Sequence, residues 1–117
     1  MTAPGFVISG DATMRVLVRA VGPTLGNFGV AGFVVDPKFD FFGPGNAMIG
    51  TNDNWSANAT VQTAVIAAAQ HAGAFALPVN SRDAGLVSVI GSGSHTVVVS
   101  GVGETTGVCL VEGYESF

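Results

Sequence analysis

Residues 14–21 read Met-Arg-Val-Leu-Val-Arg-Ala-Val, and this stretch decides the fold class. Its even-numbered positions are apolar, whereas Arg15 and Arg19 lie at odd-numbered positions. Alternate residues of a β-strand point to opposite faces, so the stretch predicts a strand with one apolar and one mixed face. The pair Gly22-Pro23 follows directly and predicts the end of that strand.

The rest of the chain is divided by glycine into short apolar runs, which is typical of strands joined by turns. The turn Gly43-Pro44-Gly45-Asn46 predicts a hairpin between two of these runs. Two later glycine-rich turns, 91–94 and 103–106, predict that the last three runs form two consecutive hairpins. The predicted strands are 6–9, 14–21, 33–35, 38–42, 47–50, 85–90, 95–102 and 107–114.

One segment, Asn58–Ala72, is rich in Ala and Gln and has apolar residues at helical spacing. Ser56 or Asn58 is suited to cap its start, and Gly73 is suited to end it. The sequence therefore predicts a single domain spanning 1–117. Its fold class is all-β, a β-sandwich or jelly roll of about eight antiparallel strands with one short inserted Ala-rich helix at about 58–72.

The composition is poor in charge, with 48% hydrophobic and only 10% charged residues. Soluble domains carry roughly 25% charged residues, so much of this surface must be uncharged or apolar. Such a surface is typical of proteins covered by a partner or by identical subunits. The longest uncharged stretch, 54–81, is interrupted by polar residues and predicts no membrane-spanning helix. The opening residues do not resemble a signal peptide.

The net charge of −4 and the four scattered basic residues argue against nucleic acid as a partner. The single cysteine, Cys109, has no partner for an intrachain disulfide. It lies in the apolar run 108–111, which favours a buried inert thiol over a reactive one.

Catalytic signals are nonspecific. The chain has two histidines, His71 and His95, and no G-x-S-x-G elbow. Ser94, His95 and Asp83 are the residue types of a Ser-His-Asp catalytic triad, but a triad is defined by geometry rather than by composition. The glycines of 101–107 have the wrong spacing for a phosphate loop. The sequence therefore predicts a protein that is not an enzyme, with a hydrolase as the least favoured alternative.

The most unusual polar cluster is Thr51-Asn-Asp-Asn-Trp55. Hard oxygen ligands at Asn52, Asp53 and Asn54 are candidates for Ca²⁺, but EF-hand spacing and a closing glutamate are missing. An Asx-rich turn anchored by Trp55 is the favoured alternative, with no cofactor. Two glycosylation sequons begin at Asn54 and Asn58.

Several motifs together resemble a bacterial secreted or surface module of the kind found in large surface proteins of Verrucomicrobia-like bacteria. The motifs are Arg-Val-Leu-Val-Arg-Ala-Val-Gly-Pro-Thr-Leu at 15–25, Asp-Pro at 36–37, Phe-Asp-Phe-Phe at 39–42, Thr-Asn-Asp-Asn-Trp at 51–55, Ala-Phe-Ala-Leu-Pro at 74–78, Ser-Arg-Asp-Ala at 81–84, and the run 100–114.

The strand order of this module is similar to that of the bacterial pre-peptidase C-terminal domain. The resemblance implies a sandwich fold, an extracellular or cell-surface location and no catalytic residues. The Ala-rich segment 58–72 departs from the pattern, because a shorter polar loop is expected there.

The leading functional hypothesis is a structural domain that assembles with copies of itself into a surface filament. Unpaired sheet edges and apolar contacts would join the subunits. The predicted interaction residues are Phe6, Ile8, Val108, Leu110, Tyr114 and Phe117. The alternative is a carbohydrate-binding or targeting module of an exported enzyme, for which Trp55 and Tyr114 are the aromatic candidates.

Overall fold

The computed structural model of the chain describes residues 5–8, 13–104 and 106–116. Within these ranges the elements are seven strands and one α-helix, together with short 3₁₀ turns. The strands are β1 (Gly5–Ile8), β2 (Met14–Val21), β3 (Pro37–Phe42), β4 (Met48–Asn52), β5 (Ala84–Ile90), β6 (Gly93–Gly101) and β7 (Leu110–Ser116), and the helix is α1 (Ala59–Ala72).

The strands form two antiparallel sheets, one with the order β1-β6-β3-β4 and one with the order β5-β2-β7. The predicted β-rich antiparallel fold with one inserted helix is confirmed at this level. The predicted strand at 33–35 reduces to a single bridge in which Phe33 pairs with Val108. The described ranges therefore contain seven strands rather than about eight. The predicted end of the first strand at Ser9 lies outside the described residues.

The prediction that the last three strands form consecutive hairpins is wrong. β5 and β7 both pair with β2, whereas β6 pairs with β1 and β3 in the other sheet. The chain thus crosses between sheets at each of the two glycine-rich turns. The physical reason is that apolar residues of β5 and β6, including Leu86 and Val97, face each other across one core. Alternation along a strand predicts which side chains are buried but does not identify the neighbouring strand.

Both faces of β2 are buried, so this strand is the middle of three layers. Val16, Val18 and Ala20 lie in the core between the two sheets. Leu17 and Val21 lie in a second core, where the helix α1 and Trp55 cover the outer face of the three-stranded sheet. The mixed face predicted for β2 is therefore not a solvent face.

Helix α1 begins and ends as its sequence predicts. The side-chain oxygen of Asn58 accepts hydrogen bonds from the backbone N–H groups of Thr60 and Val61, at 2.9 and 3.1 Å. Gly73 adopts the left-handed conformation at φ 74° and ends the helix. α1 has 14 residues, and no helix in the described ranges is long and apolar enough to cross a membrane.

On one side of the core between the sheets, hydrogen bonds link the two sheets. On the other side, each sheet ends in a terminal strand. On the joined side, the Asn52 side chain at the end of β4 accepts a hydrogen bond from the Gly85 N–H of β5 at 3.0 Å. The backbone N–H of Trp55, after β4, donates to the carbonyl oxygen of Asp83, before β5, at 3.0 Å. β4 and β5 are terminal in their sheets, so β1 and β7 are the terminal strands on the opposite side. We call this opposite side the β1/β7 edge.

Candidate functional site

Four of the predicted interaction residues lie in the strands of the β1/β7 edge: Phe6 and Ile8 in β1, and Leu110 and Tyr114 in β7. Val108 lies two residues before β7. Cys109, directly before β7, and Val111 in β7 pack against the core between the sheets, and Leu110 lies on the opposite face. Val108 and Leu110 are exposed, at 54% and 40% of their surface. The backbone N–H and carbonyl oxygen of Val108 already pair with Gly32 and Val34. The edge on which another strand can pair is therefore that of β7, where Leu110 is exposed.

The remaining interaction candidates are placed less fully. Phe6 and Ile8 lie in β1, where they pair with His95 and Gly93 of β6. Phe117 lies outside the described residues. Tyr114 is half-buried, and its hydroxyl donates to Glu112 Oε2 at 2.5 Å. Burial, this hydrogen bond and the negative charge of Glu112 raise the pKa of Tyr114.

A fully buried arginine lies beside this edge, which the sequence pattern did not reveal. Arg19 of β2 is 0% exposed, and its Nε and Nη2 both donate to Glu112 Oε1, at 2.8 and 2.6 Å. Its Nη1 donates to the Phe75 carbonyl oxygen at 2.6 Å. The guanidinium carbon also lies 4.4 Å from the centroid of the Phe75 ring. An arginine alternating with Leu17 and Val21 on one strand face was the signal that could have indicated this burial.

A buried carboxylate holds the turn that follows β2. Asp83 is 0% exposed and accepts four hydrogen bonds. The donors are the Gly22 N–H at 2.8 Å, the Thr24 N–H at 3.3 Å, the Thr24 hydroxyl, and the Ser81 hydroxyl at 2.7 Å. These hydrogen bonds link the turn at 22–24 to the segment 81–83, directly before β5. A Cβ on Gly22 would lie 2.0 Å from the Val34 carbonyl oxygen, so glycine alone fits there.

The histidine and the aspartate of the candidate Ser94, His95 and Asp83 triad lie in different environments. The Asp83 carboxylate is occupied by Gly22, Thr24 and Ser81. His95 is 2% exposed in β6, where Nδ1 lies 3.0 Å from the Gly93 carbonyl oxygen. Its ring lies 5.8 Å from that of Phe41. His71 is exposed in the last turn of α1. His95 and Asp83 therefore have different hydrogen-bond partners.

Trp55 does not form a sugar platform in this structure. Its side chain is 1% exposed, and its Nε1–H donates to the Pro78 carbonyl oxygen and to Ser81 Oγ, at 3.1 and 3.0 Å. An indole ring must expose a face to stack on a sugar, and this ring instead fills the core beneath α1. Of the two aromatic candidates for carbohydrate, only Tyr114 is partly exposed.

The calcium candidates lie at the end of β4 and in the turn that follows it. The Asn52 amide oxygen accepts the hydrogen bond from Gly85, and the Asn54 carbonyl oxygen accepts one from the Ala57 N–H at 3.2 Å. Within the described residues, no group of three or more His, Cys, Asp or Glu is placed to hold a metal ion. The sequon residues Asn54 and Asn58 are both exposed, and their glycosylation stays a prediction.

Cys109 is partly buried against the core between the sheets. Burial, followed by the negative charge of Asp83, raises the pKa of its thiol to about 11. The thiolate is the reactive form, so this environment favours the inert thiol that the sequence predicts.

Two carboxyl groups meet at the base of the β3–β4 hairpin. Asp36 precedes β3 and Asp53 follows β4, and within the described residues one oxygen of each is buried without a hydrogen-bond partner. Burial, hydrogen bonding to Asp36 and its negative charge raise the pKa of Asp53. Lys38 and Arg82 act in the opposite direction.

We expect Asp53→Asn to be more stable than the wild type at pH 7. The pKa of Asp53 is raised above its ordinary value of 3.8 in the folded state, so the unfolded chain loses this proton first. The contribution to stability therefore falls as the pH rises from about 4, and the variant lacks this loss. Thermal unfolding from pH 3.5 to 7.5 checks this, with the difference between variant and wild type growing as the pH rises. Asp36→Asn removes the neighbouring charge but leaves Asp53 buried, so it should show a smaller difference from the wild type than Asp53→Asn. A less stable Asp53→Asn at pH 7 contradicts the prediction.

No family of known protein sequences matches the chain, and no curated protein or solved structure is similar to it.

Proposed function

We propose that this chain is a non-enzymatic domain that assembles with copies of itself at a bacterial cell surface, through the β1/β7 edge. The carrying observation is the asymmetry of the two sheets. Side-chain and backbone hydrogen bonds join β4 to the region of β5, whereas β1 and β7 end their sheets on the other side. Terminal strands carry N–H and C=O groups that a strand from a second molecule can satisfy.

The side chains near β7 support this proposal. Val35, Val108 and Leu110 are exposed, at 48%, 54% and 40%. Phe33 and Val108 form an isolated parallel bridge, and Val35 and Leu110 each lie two residues beyond it on their own segments. Apolar groups clustered at a strand edge gain free energy when another subunit covers them. The low charge of the chain adds little repulsion between copies.

The fold and location form part of the same proposal. The two facing sheets support a β-sandwich related to the pre-peptidase C-terminal domain, with the helix as an addition to it. The proposed extracellular location is supported by the resemblance of the motifs at 15–25 and 51–55 to those of secreted modules. The burial of His95 and the structural role of Asp83 agree with a domain that does not catalyse a reaction.

We expect Leu110→Lys to weaken self-association by about tenfold or more, because a lysine on an edge strand opposes pairing with another strand. Val89→Lys is the control, since Val89 is 59% exposed on β5, at the joined side. Light scattering coupled to size exclusion, over a range of concentrations, measures the mass of each protein. The wild type and Val89→Lys should both gain mass with concentration. A wild type that stays monomeric at high concentration, or two variants that associate equally, would overturn the proposal.

A further inference from the structure

Two buried carboxyl oxygens at the base of the β3–β4 hairpin have no hydrogen-bond donor among the described residues. They are Oδ1 of Asp36, directly before β3, and Oδ1 of Asp53, directly after β4. Buried polar atoms are almost always paired, so these two oxygens require an explanation. An ionised carboxyl group only accepts hydrogen bonds, whereas a protonated one also donates. One proton held between the two groups satisfies both oxygens, since one then donates and the other accepts.

The backbone around this pair is held in place by other parts of the fold. The Asp36 carbonyl oxygen accepts a hydrogen bond from the Val102 N–H at 2.9 Å, which ties Asp36 to the turn after β6. Asp53 lies between Asn52 and Trp55, the two residues whose hydrogen bonds link the sheets on the joined side. A repulsion between the two carboxyl groups therefore acts against the hydrogen bonds that join the sheets.

The charged groups around the pair determine whether it keeps a proton. Burial and the contact with Asp36 raise the pKa of Asp53, whereas Lys38 of β3 and Arg82, before β5, lower it. The first two effects are larger, and both basic side chains are exposed, so solvent screens them. The Asp83 carboxylate is occupied by four hydrogen bonds of its own. β4 and the last residues of β6 carry no charged side chain. These surroundings favour a pair that keeps one proton to a higher pH than an isolated aspartate does.

A metal ion is the other occupant that could satisfy the two oxygens. Ca²⁺ takes about six to eight oxygen ligands. In the part of the chain that the structure describes, no group of three or more His, Cys, Asp or Glu is placed to hold a metal ion. The side-chain oxygen of Asn52, beside Asp53, already accepts the hydrogen bond from Gly85. Lys38 and Arg82 also repel a cation, so the pair suits a proton better than a metal ion.

We propose that Asp36 and Asp53 share one proton, and that this proton controls how firmly the two sheets are joined. With the proton present, a hydrogen bond holds the two carboxyl groups together. When it leaves, two like charges lie close together in a partly buried site, and their repulsion opens the joined side more often. The link between the sheets is therefore strongest in acid and weakens as the pH rises. The proposal does not depend on assembly through the β1/β7 edge.

Hydrogen exchange at two amides measures this opening. The Gly85 N–H donates to the Asn52 side chain, and the Trp55 N–H donates to the Asp83 carbonyl oxygen. Their exchange rates in the ¹⁵N-labelled wild type, from pH 4 to pH 7 with EDTA present, are converted into protection factors relative to an unstructured amide at the same pH. Both protection factors should fall by about threefold or more as the pH rises. The Gln62 N–H belongs to α1, which carries neither carboxyl group, and its protection factor should stay constant.

Three variants separate the shared proton from other effects of pH. Asp53→Asn replaces the proton with an amide N–H that pH does not remove, so both amides should stay protected throughout. Asp36→Asn should reduce the pH dependence without abolishing it, since Asp53 stays buried. Asp40→Asn is the matched control, because Asp40 lies on the same hairpin with an exposed hydrogen bond to Thr51, and it should keep the wild-type behaviour.

The amide spectra also report whether each variant is folded. Protection factors in the wild type that do not change with pH, or that fall equally at Gln62, would overturn the proposal. A pH dependence that persists unchanged in Asp53→Asn would also contradict it. Replacing EDTA with Ca²⁺ should leave the wild type unaltered at pH 7, and a rise in protection there would assign the pair to a metal ion instead.

Discussion

Asp83→Asn is expected to lower the free energy of unfolding by about 3–5 kcal/mol. The carboxylate accepts four hydrogen bonds in a site that is 0% exposed. An asparagine of the same size would turn its NH₂ group toward donors of Gly22, Thr24 or Ser81. At least one buried donor would then lose its acceptor, and the turn after β2 would lose its attachment to β5.

Urea unfolding followed by fluorescence checks this, because Trp55 lies next to the turn through its bond to the Asp83 carbonyl oxygen. Asp40→Asn is the matched control. Asp40 accepts a single exposed hydrogen bond from Thr51 Oγ1, which an asparagine oxygen can also accept, so a change within about 0.5 kcal/mol is expected. Equal stability losses in the two variants would show that the Asp83 carboxylate does not hold the turn.

Arg19→Met is expected to lower the free energy of unfolding by a similar amount, about 3–5 kcal/mol. The substitution keeps an apolar side chain in the core but leaves the Glu112 carboxylate, whose side chain is 11% exposed, without its cation. It also removes the contact of the guanidinium with the Phe75 ring and the hydrogen bond to the Phe75 carbonyl oxygen. The uncompensated charge is the larger of these effects.

A double variant separates the charge from the packing. Arg19→Met combined with Glu112→Gln removes both charges and keeps an acceptor for the Tyr114 hydroxyl. We expect it to be more stable than Arg19→Met alone, with a coupling free energy of about 2 kcal/mol in a double-mutant cycle from urea unfolding. Additive losses would mean that Arg19 contributes through packing rather than through its pairing with Glu112.

Local features of the fold were predictable because their causes are local. The bounds of β2 follow from alternation ended by Gly22-Pro23, and the observed strand is Met14–Val21. The helix ends follow from the side chain of Asn58 and the backbone freedom of Gly73. The β3–β4 hairpin follows from the turn at 43–46. In each case the determining residues lie within a few positions of the feature.

The features that were predicted wrongly or not predicted depend on contacts between residues far apart in sequence. Apolar alternation in β5 and β6 fits a hairpin as well as two facing strands, and the choice depends on β2, which both β5 and β7 use as a partner. Arg19 is buried because Glu112, 93 positions away, neutralises it. Trp55 is buried because α1 covers it. The sequence determines these contacts, but a single sequence carries no pattern that shows which distant residues contact each other.

The alternation of β5, β6 and β7 between sheets has a kinetic consequence. Among the described strands, only β3 and β4 form a sheet pair across a short turn. β2 pairs with β5 and β7, and β1 pairs with β6, across long stretches of chain. Such distant pairings require loop closure before any contact forms, and proteins dominated by them fold in milliseconds to seconds. During synthesis, β7 can pair with β2 only after the residues of β7 have left the ribosome. Until then, one edge of β2 has no neighbouring strand. That interval is when a strand of a neighbouring molecule could replace β7 and produce a swapped dimer.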